Sequence, residues 1–233
     1  MVTSTDCESL KDLIERFKRK ERYIVFQQVA TAGEVALDPG FLAKVRALGW
    51  PVPDHGVLVL TDYHLNWLYA ALELHRGTWA SGHGPHKALS DVREAVDPAG
   101  TTRYALEPNQ EDIDLLLVWE DGDGTHLGLV EVKAYSGWTK KQILSKATRL
   151  EAILGASGTA HDAVVAHFAL MSFTEPTKIT EDEWPRWMQD AKGNLAHIAL
   201  DPPSSDRLSV GRVDEQGMSS SAGGYYGIRT LKA

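Results

Sequence analysis

Three charged residues interrupt two apolar runs in the middle of the chain. Asp114 lies within "IDLLLVW", and Glu131 and Lys133 close "HLGLVEVK". Charge in an apolar run is costly to bury unless it is paired or bound to a metal. Between the runs stands "DGDG", Asp121 to Gly124, a hairpin signal because glycine tolerates positive φ. With the turn centred between Gly122 and Asp123, Asp114 falls directly opposite Glu131, and Asp112 opposite Lys133. Opposed residues have Cβ atoms roughly 4.5–5.5 Å apart, and successive side chains alternate faces. Asp112, Asp114, Glu131 and Lys133 are therefore expected on one face, with Ile113, Leu115, Leu117, Val130 and Val132 on the other. A shift of the turn by one residue preserves that shared face, whereas a bulge would break it.

Directly opposed carboxylates destabilise a sheet, so Asp114 and Glu131 call for a cation between them. Lys133, diagonal to Asp114, is one, and would make a plain salt bridge at the hairpin mouth. A hard divalent ion is another, since Mg²⁺ is bound through one or two carboxylates plus waters and phosphate oxygens. The segment that follows, "GWTKKQILSKATRLEAILG", reads as a helix with Ile143, Ala147, Leu150 and Leu154 on one face. Gln142, Lys146 and Arg149 form a second stripe. With Lys140 and Lys141 they make this the most basic helix of the chain, either a solvated face or a set of phosphate contacts. Trp138 stands just ahead of it, placed to stack on a base or to pack over the helix start.

Asp114 followed by Glu131-Val132-Lys133, with the basic helix behind, resembles the PD-(D/E)XK (restriction-endonuclease-like) nuclease superfamily. The resemblance covers roughly Asn109 to Gly155 and the next strand. It implies a central mixed β-sheet flanked by helices and phosphodiester hydrolysis with Mg²⁺ or Mn²⁺, with DNA favoured over RNA as substrate. On that pattern Asp114, Glu131 and the Val132 carbonyl would ligate metal. Lys133 would orient the attacking water and steady the developing charge. Some members carry Gln at the position of Gln142, which makes it a further catalytic candidate, with Tyr four residues on; here Lys146 stands in place of that Tyr. Lys140, Lys141, Lys146 and Arg149 are the candidate nucleic-acid contacts. A further acidic ligand often comes from a preceding helix, for which Glu73 and Asp62 are the candidates. The same fold can also serve as a non-catalytic nucleic-acid- or protein-binding module. Cutting both strands of a duplex usually takes two active sites, which admits a homodimer, although no interface is legible.

Other elements must place these residues. "TDCESLKDLIERFK" reads as an opening helix, with Thr5 and Glu8 as a capping box and Leu10, Leu13, Ile14 and Phe17 as its apolar stripe. "DPGFLAKVRALGW" suggests a short helix stopped at Gly49, and "VLVL" a short apolar run. "TDYHLNWLYAALELHRG" is a helix with Asp62 as cap and Gly77 as stop. "LSDVREAV" suggests a short helix, "TRYAL" a strand, "DAVVAHFALMSF" a buried strand and "TEDEWPRWMQDAKG" a helix with Thr180 and Glu183 at its start. "LAHIAL" reads as a strand, and "RLSVGRVDEQG" with "YYGIRTLKA" as a last hairpin. No linker clearly splits the chain. The expectation is one α/β domain over residues 1–233, with a helical portion over 1–60 and the nuclease-like core over 61–233.

The bulk numbers narrow the function classes. A net charge of −8 over 233 residues argues against a protein that coats nucleic acid through a broad basic surface, and leaves room for a local basic groove. No apolar run is long enough to span a bilayer and the first residues lack a signal-peptide pattern, so a cytoplasmic protein with no membrane partner is expected. Cys7 is the only cysteine, which excludes an internal disulfide and a cysteine-based zinc site. His75, His83 and His86 cluster in sequence without a helix to orient His83 and His86, a weak basis for zinc.

Overall fold

The computed structural model describes residues 9–17, 36–77, 92–133, 137–176, 179, 184–201 and 207–231. Helix α1 (Leu10–Phe17) buries Leu10, Leu13 and Ile14, three residues of the stripe read from the sequence. The capping box at Thr5 and Glu8 lies outside the described residues, as do Cys7, His83 and His86. Helix α2 (Pro39–Ala47) is capped by Asp38, whose side chain accepts the Phe41 N–H at 3.0 Å, and Gly49 follows it with a φ of +84°.

Strand β1 (Leu58–His64) runs straight into helix α3 (Leu65–His75). This corrects the expected cap at Asp62, because the N-cap is His64 and Asp62 belongs to the strand, at a φ of +49°. Pairing overrides the capping signal: Tyr63 and His64 continue a ladder with Ile113 and Asp112, and the His64 imidazole bonds the Asp112 carboxylate. The helix expected over 89–96 is also corrected, since its last residues form β2 (Glu94–Val96), paired with β3 (Thr102–Tyr104). Asp97 makes the turn between them by accepting the Ala99 and Thr101 N–H groups at 2.9 and 2.7 Å.

The long apolar runs form β4 (Asp112–Asp121) and β5 (Gly124–Lys133). Helix α4 (Lys140–Leu154) then crosses to β6 (Val164–Ser172), and β7 (His197–Ala199) follows. The helix expected from Thr180 onward is, in its described part, one 3-10 turn at Arg186–Met188. Pro185 supplies no N–H, and Asp190 turns the chain by accepting from Lys192 and Asn194 at 2.8 and 3.0 Å.

The sheet order is β1-β4-β5-β6-β7, with β1, β4 and β5 antiparallel in turn and β5, β6 and β7 parallel. The fold is thus α/β, with a central mixed sheet flanked by helices. On one face α1, α3 and α4 bury Leu68, Leu72, Ile143 and Leu150 against Leu116, Val118, Leu127 and Leu129. On the other, α2 and Trp50 cover Leu117, Trp119 and Val130. β5 starts so close to the chain before β6 that a Cβ on Gly124 would stand 2.2 Å from the Ala163 carbonyl oxygen; glycine there lets Thr125 N–H reach that oxygen at 2.8 Å.

Residues 1–199 make one compact unit and residues 200–233 a second. The second is built on the hairpin of β8 (Arg207–Val213) and β9 (Tyr225–Leu231), as the sequence suggests. Among the described residues no helix is long and apolar enough to cross a membrane.

Candidate functional site

The hairpin register is the one counted from the turn: Asp121 pairs with Gly124, and the ladder runs to Leu115 opposite Val130. There it stops. The next amide of β5, Val132 N–H, donates instead to the Asp114 carboxylate, Oδ2, at 2.8 Å. The β1–β4 ladder likewise skips Asp62 and Asp114 while pairing the residues on either side. Strand alternation therefore breaks at Asp114. Ile113 joins the same core as Leu116 and Val118, not the face of Leu115 and Leu117. This corrects the expectation that Asp112, Asp114, Glu131 and Lys133 project together from one regular face.

A cavity of about 340 Å³ opens at the carboxyl end of β5, where α4 begins. Crevices at the carboxyl ends of sheet strands are common ligand sites in α/β folds. Glu131 and Lys133 line this one from β5, with Lys141, Gln142, Ser145 and Lys146 from α4 and Trp138 from the start of the crossover. Arg103 from β3 and Glu111 complete its charged lining. Thr139 caps α4 and holds Gln142, donating its hydroxyl to the Gln142 side-chain oxygen at 2.9 Å. Lys133 Nζ lies 5.9 Å from the centre of the Trp138 ring, and Trp138 Nε1 donates to Ser172 Oγ at 3.3 Å. Trp138 thus packs over the helix start and steadies Lys133.

Glu131 is buried, and its Oε1 lies 3.0 Å from Lys146 Nζ. Apart from that ion pair, no hydrogen-bond donor among the described residues reaches Oε1. The same ammonium donates to the Asp112 carbonyl and stands 3.7 Å from Glu111 Oε1. Burial pushes the Glu131 carboxyl up to about 7; Lys146 pulls it down, and the charges of Asp114 and Glu111 raise it further. In donor type this cradle, two carboxylates and a carbonyl, fits a hard cation. Its centre is held by an ammonium, and among the described residues no group of three His, Cys, Asp or Glu side chains is arranged to hold a metal.

The remaining candidates fall elsewhere. Asp114 is committed to the Val132 N–H and does not line the cavity. Lys140 is exposed on the first turn of α4, outside the cavity lining. Arg149 is completely buried; it donates to the Asn109 carbonyl at 3.3 Å, to Glu111 Oε2 at 3.4 Å and to the Asn66 side chain. It is a structural arginine, not the surface phosphate contact expected. Glu73 pairs with Arg76 and Arg93 at 3.3 and 3.4 Å, and Arg93 also bonds His161 and the Ile153 carbonyl. Asp62 is half-buried in β1. Neither supplies the cavity with an acid; Glu111 does. Sequence reasoning missed Glu111 and Arg103. Glu111 precedes the strand, where alternation gives no guidance, and Arg103 sits on a ribbon whose placement depends on tertiary packing.

No family model, no curated protein and no solved structure matches the chain.

Proposed function

We propose that the chain is a metal-dependent nuclease that hydrolyses phosphodiester bonds, DNA before RNA, at the cavity between β5 and α4. The observation that carries this reading is the convergence of Glu131 and Lys133 with Gln142, Lys141 and Lys146 on one open cavity. Its charged lining has four cations (Arg103, Lys133, Lys141, Lys146) and two carboxylates (Glu111, Glu131), in a chain of net charge −8. Helix α4 also opens on Lys140 and Lys141 with no acidic residue in its first turn. Cations there oppose the helix dipole, an arrangement that an anionic ligand relieves. The mixed sheet agrees with the PD-(D/E)XK resemblance.

In this reading Lys141 holds phosphate oxygens, while the Arg103 guanidinium is engaged with Glu107 at 3.2 Å and with the Ser145 hydroxyl. Lys133, steadied by Trp138, donates to the attacking water or to the phosphate as charge develops. Gln142, fixed by Thr139, aligns a polar group at the mouth. Glu131 and Glu111 would hold the divalent cation, Mg²⁺ or Mn²⁺, which would supply acidification of water and charge neutralisation. Cleavage of plasmid DNA with Mg²⁺ tests this. Lys133→Ala and Glu131→Gln are each expected to slow cleavage by roughly 10²-fold or more, the scale of losing one electrostatic stabiliser. Metal-dependent cleavage at the wild-type rate in both variants would refute the site.

One observation favours a second reading, a nucleic-acid-binding module without catalysis: Lys146, a cation of the protein itself, already pairs with Glu131. Salt-sensitive oligonucleotide binding with no cleavage in either metal would select it.

A further inference from the structure

The oxygen cradle beside the cavity already contains a cation, and it belongs to the protein. Lys146 is only 7 % exposed, yet its ammonium is turned toward two carboxylates and a carbonyl, those of Glu131, Glu111 and Asp112. Of the three donors of the ammonium, two reach Glu131 and the Asp112 carbonyl, and Glu111 stands further off at 3.7 Å. The same oxygens are the hard donor set that a divalent cation prefers. Two carboxylates are balanced by two of the protein's own cations, Lys146 and Arg149, the latter 3.4 Å from Glu111.

We infer that Lys146 is a resident counter-ion that a divalent cation displaces from the cradle of Glu111, Glu131 and the Asp112 carbonyl. The inference rests on the nuclease reading for the identity of the incoming ion. The displaced ammonium has somewhere to go, because Lys146 lines the cavity together with Lys133, Lys141 and Arg103. Its flexible four-carbon stem permits the move without shifting the helix. Metal entry then does two things: it fills the cradle and adds a further cation to the phosphate-facing wall. Without metal the cradle stays neutralised and that wall is weaker, so metal binding and phosphate binding support each other. The ligand set also differs from the one expected from sequence: Glu111 and the Asp112 carbonyl stand where Asp114 and the Val132 carbonyl were anticipated.

The test uses the intact chain with Mg²⁺ and Mn²⁺ as probes. Lysines of the wild-type protein are acetylated with an amine-reactive ester, and the modified sites are counted by mass spectrometry. Lys146 should be protected without metal and react several-fold faster with saturating Mg²⁺, while the exposed Lys192 stays constant. Calorimetric titration of Mn²⁺ should show Lys146→Gln binding several-fold tighter than wild type, because no occupant has to leave the cradle first. If Lys146→Gln does not fold, the acetylation result on wild type decides. Ion binding with Lys146 still protected, or a folded Lys146→Gln with unchanged affinity, overturns the inference alone. A wild-type chain that binds neither ion overturns both the inference and the metal-dependent reading beneath it.

Discussion

Replacing Arg149 with leucine separates a structural arginine from a phosphate-binding one. The side chain is completely buried, and its guanidinium meets the Asn109 carbonyl, Glu111 Oε2 and the Asn66 side chain. Leucine fills part of the volume but supplies no donor. Losing one partner of a buried charged network costs about 3–5 kcal/mol, and each buried acceptor left unpaired about 1–3 kcal/mol of that. Glu111 has a second cation at hand, Lys146 at 3.7 Å, and its side chain is 24 % exposed. The cost therefore belongs at the lower end, about 3 kcal/mol. With a urea slope of about 3 kcal/mol per molar for a chain of this size, the unfolding midpoint should fall by about 1 M. DNA affinity, followed by fluorescence anisotropy across a salt series, should keep its wild-type salt slope. A phosphate contact would instead lower that slope by about one and leave stability nearly intact. An unchanged urea midpoint together with the shallower slope would refute the structural assignment.

Two further predictions concern stability. His161 and His167 are each held down to about 4, both chiefly by burial, with Arg93 next for His161 and His126 next for His167. The unfolded chain protonates them near 6.5, so the stability they confer is complete above that pH and is lost as pH falls toward 4, by up to about 3 kcal/mol each. Glu131, pushed up to about 7, acts with the opposite sign between about 4.5 and 7, so the decisive quantity is a difference: His161→Gln should lose stability less steeply than wild type between pH 6.5 and 4.5 in urea titrations. Parallel curves would acquit His161. Asp114→Ala should cost about 1–2 kcal/mol in the same assay, because Val132 N–H loses its acceptor, while Asp114→Asn keeps an acceptor and recovers most of it. Equal losses in the two variants would show that the charge, not the bond, matters.

The parts of the fold that the sequence makes legible are those governed by local rules. "DGDG" determines the hairpin register because glycine tolerates the turn, and the apolar stripe of α4 determines which face meets the sheet. Local rules also explain the failures. Asp62 reads as a helix cap, but strand pairing resumes at Tyr63 and His64, so the helix starts only after His64. Lys146 and Arg149 read as a basic stripe, either solvated or in contact with phosphate. Both are buried, because Glu131, Glu111 and the Asn109 carbonyl lie beneath them, on a strand and a loop distant in sequence. A stripe of charge on a helix does not announce whether its partners are water, phosphate or the protein's own carboxylates.

The break at Asp114 ties these details together. The β4–β5 ladder ends at Leu115 and Val130, whereas the β5–β6 ladder continues to Lys133 opposite Ser172. The last residues of β5 are thus held by backbone pairing on one side and by the Asp114 carboxylate on the other. Beyond this point β4 stays paired with β1 through Asp112, and Glu111 and the Asp112 carbonyl meet Lys146. Asp114 therefore holds, through the Val132 N–H, the strand that carries Glu131 and Lys133. The chain carries a net charge of −8, while Lys133 and Lys141 line this cavity, so on the nuclease reading the cavity offers a local basic contact that the overall charge does not.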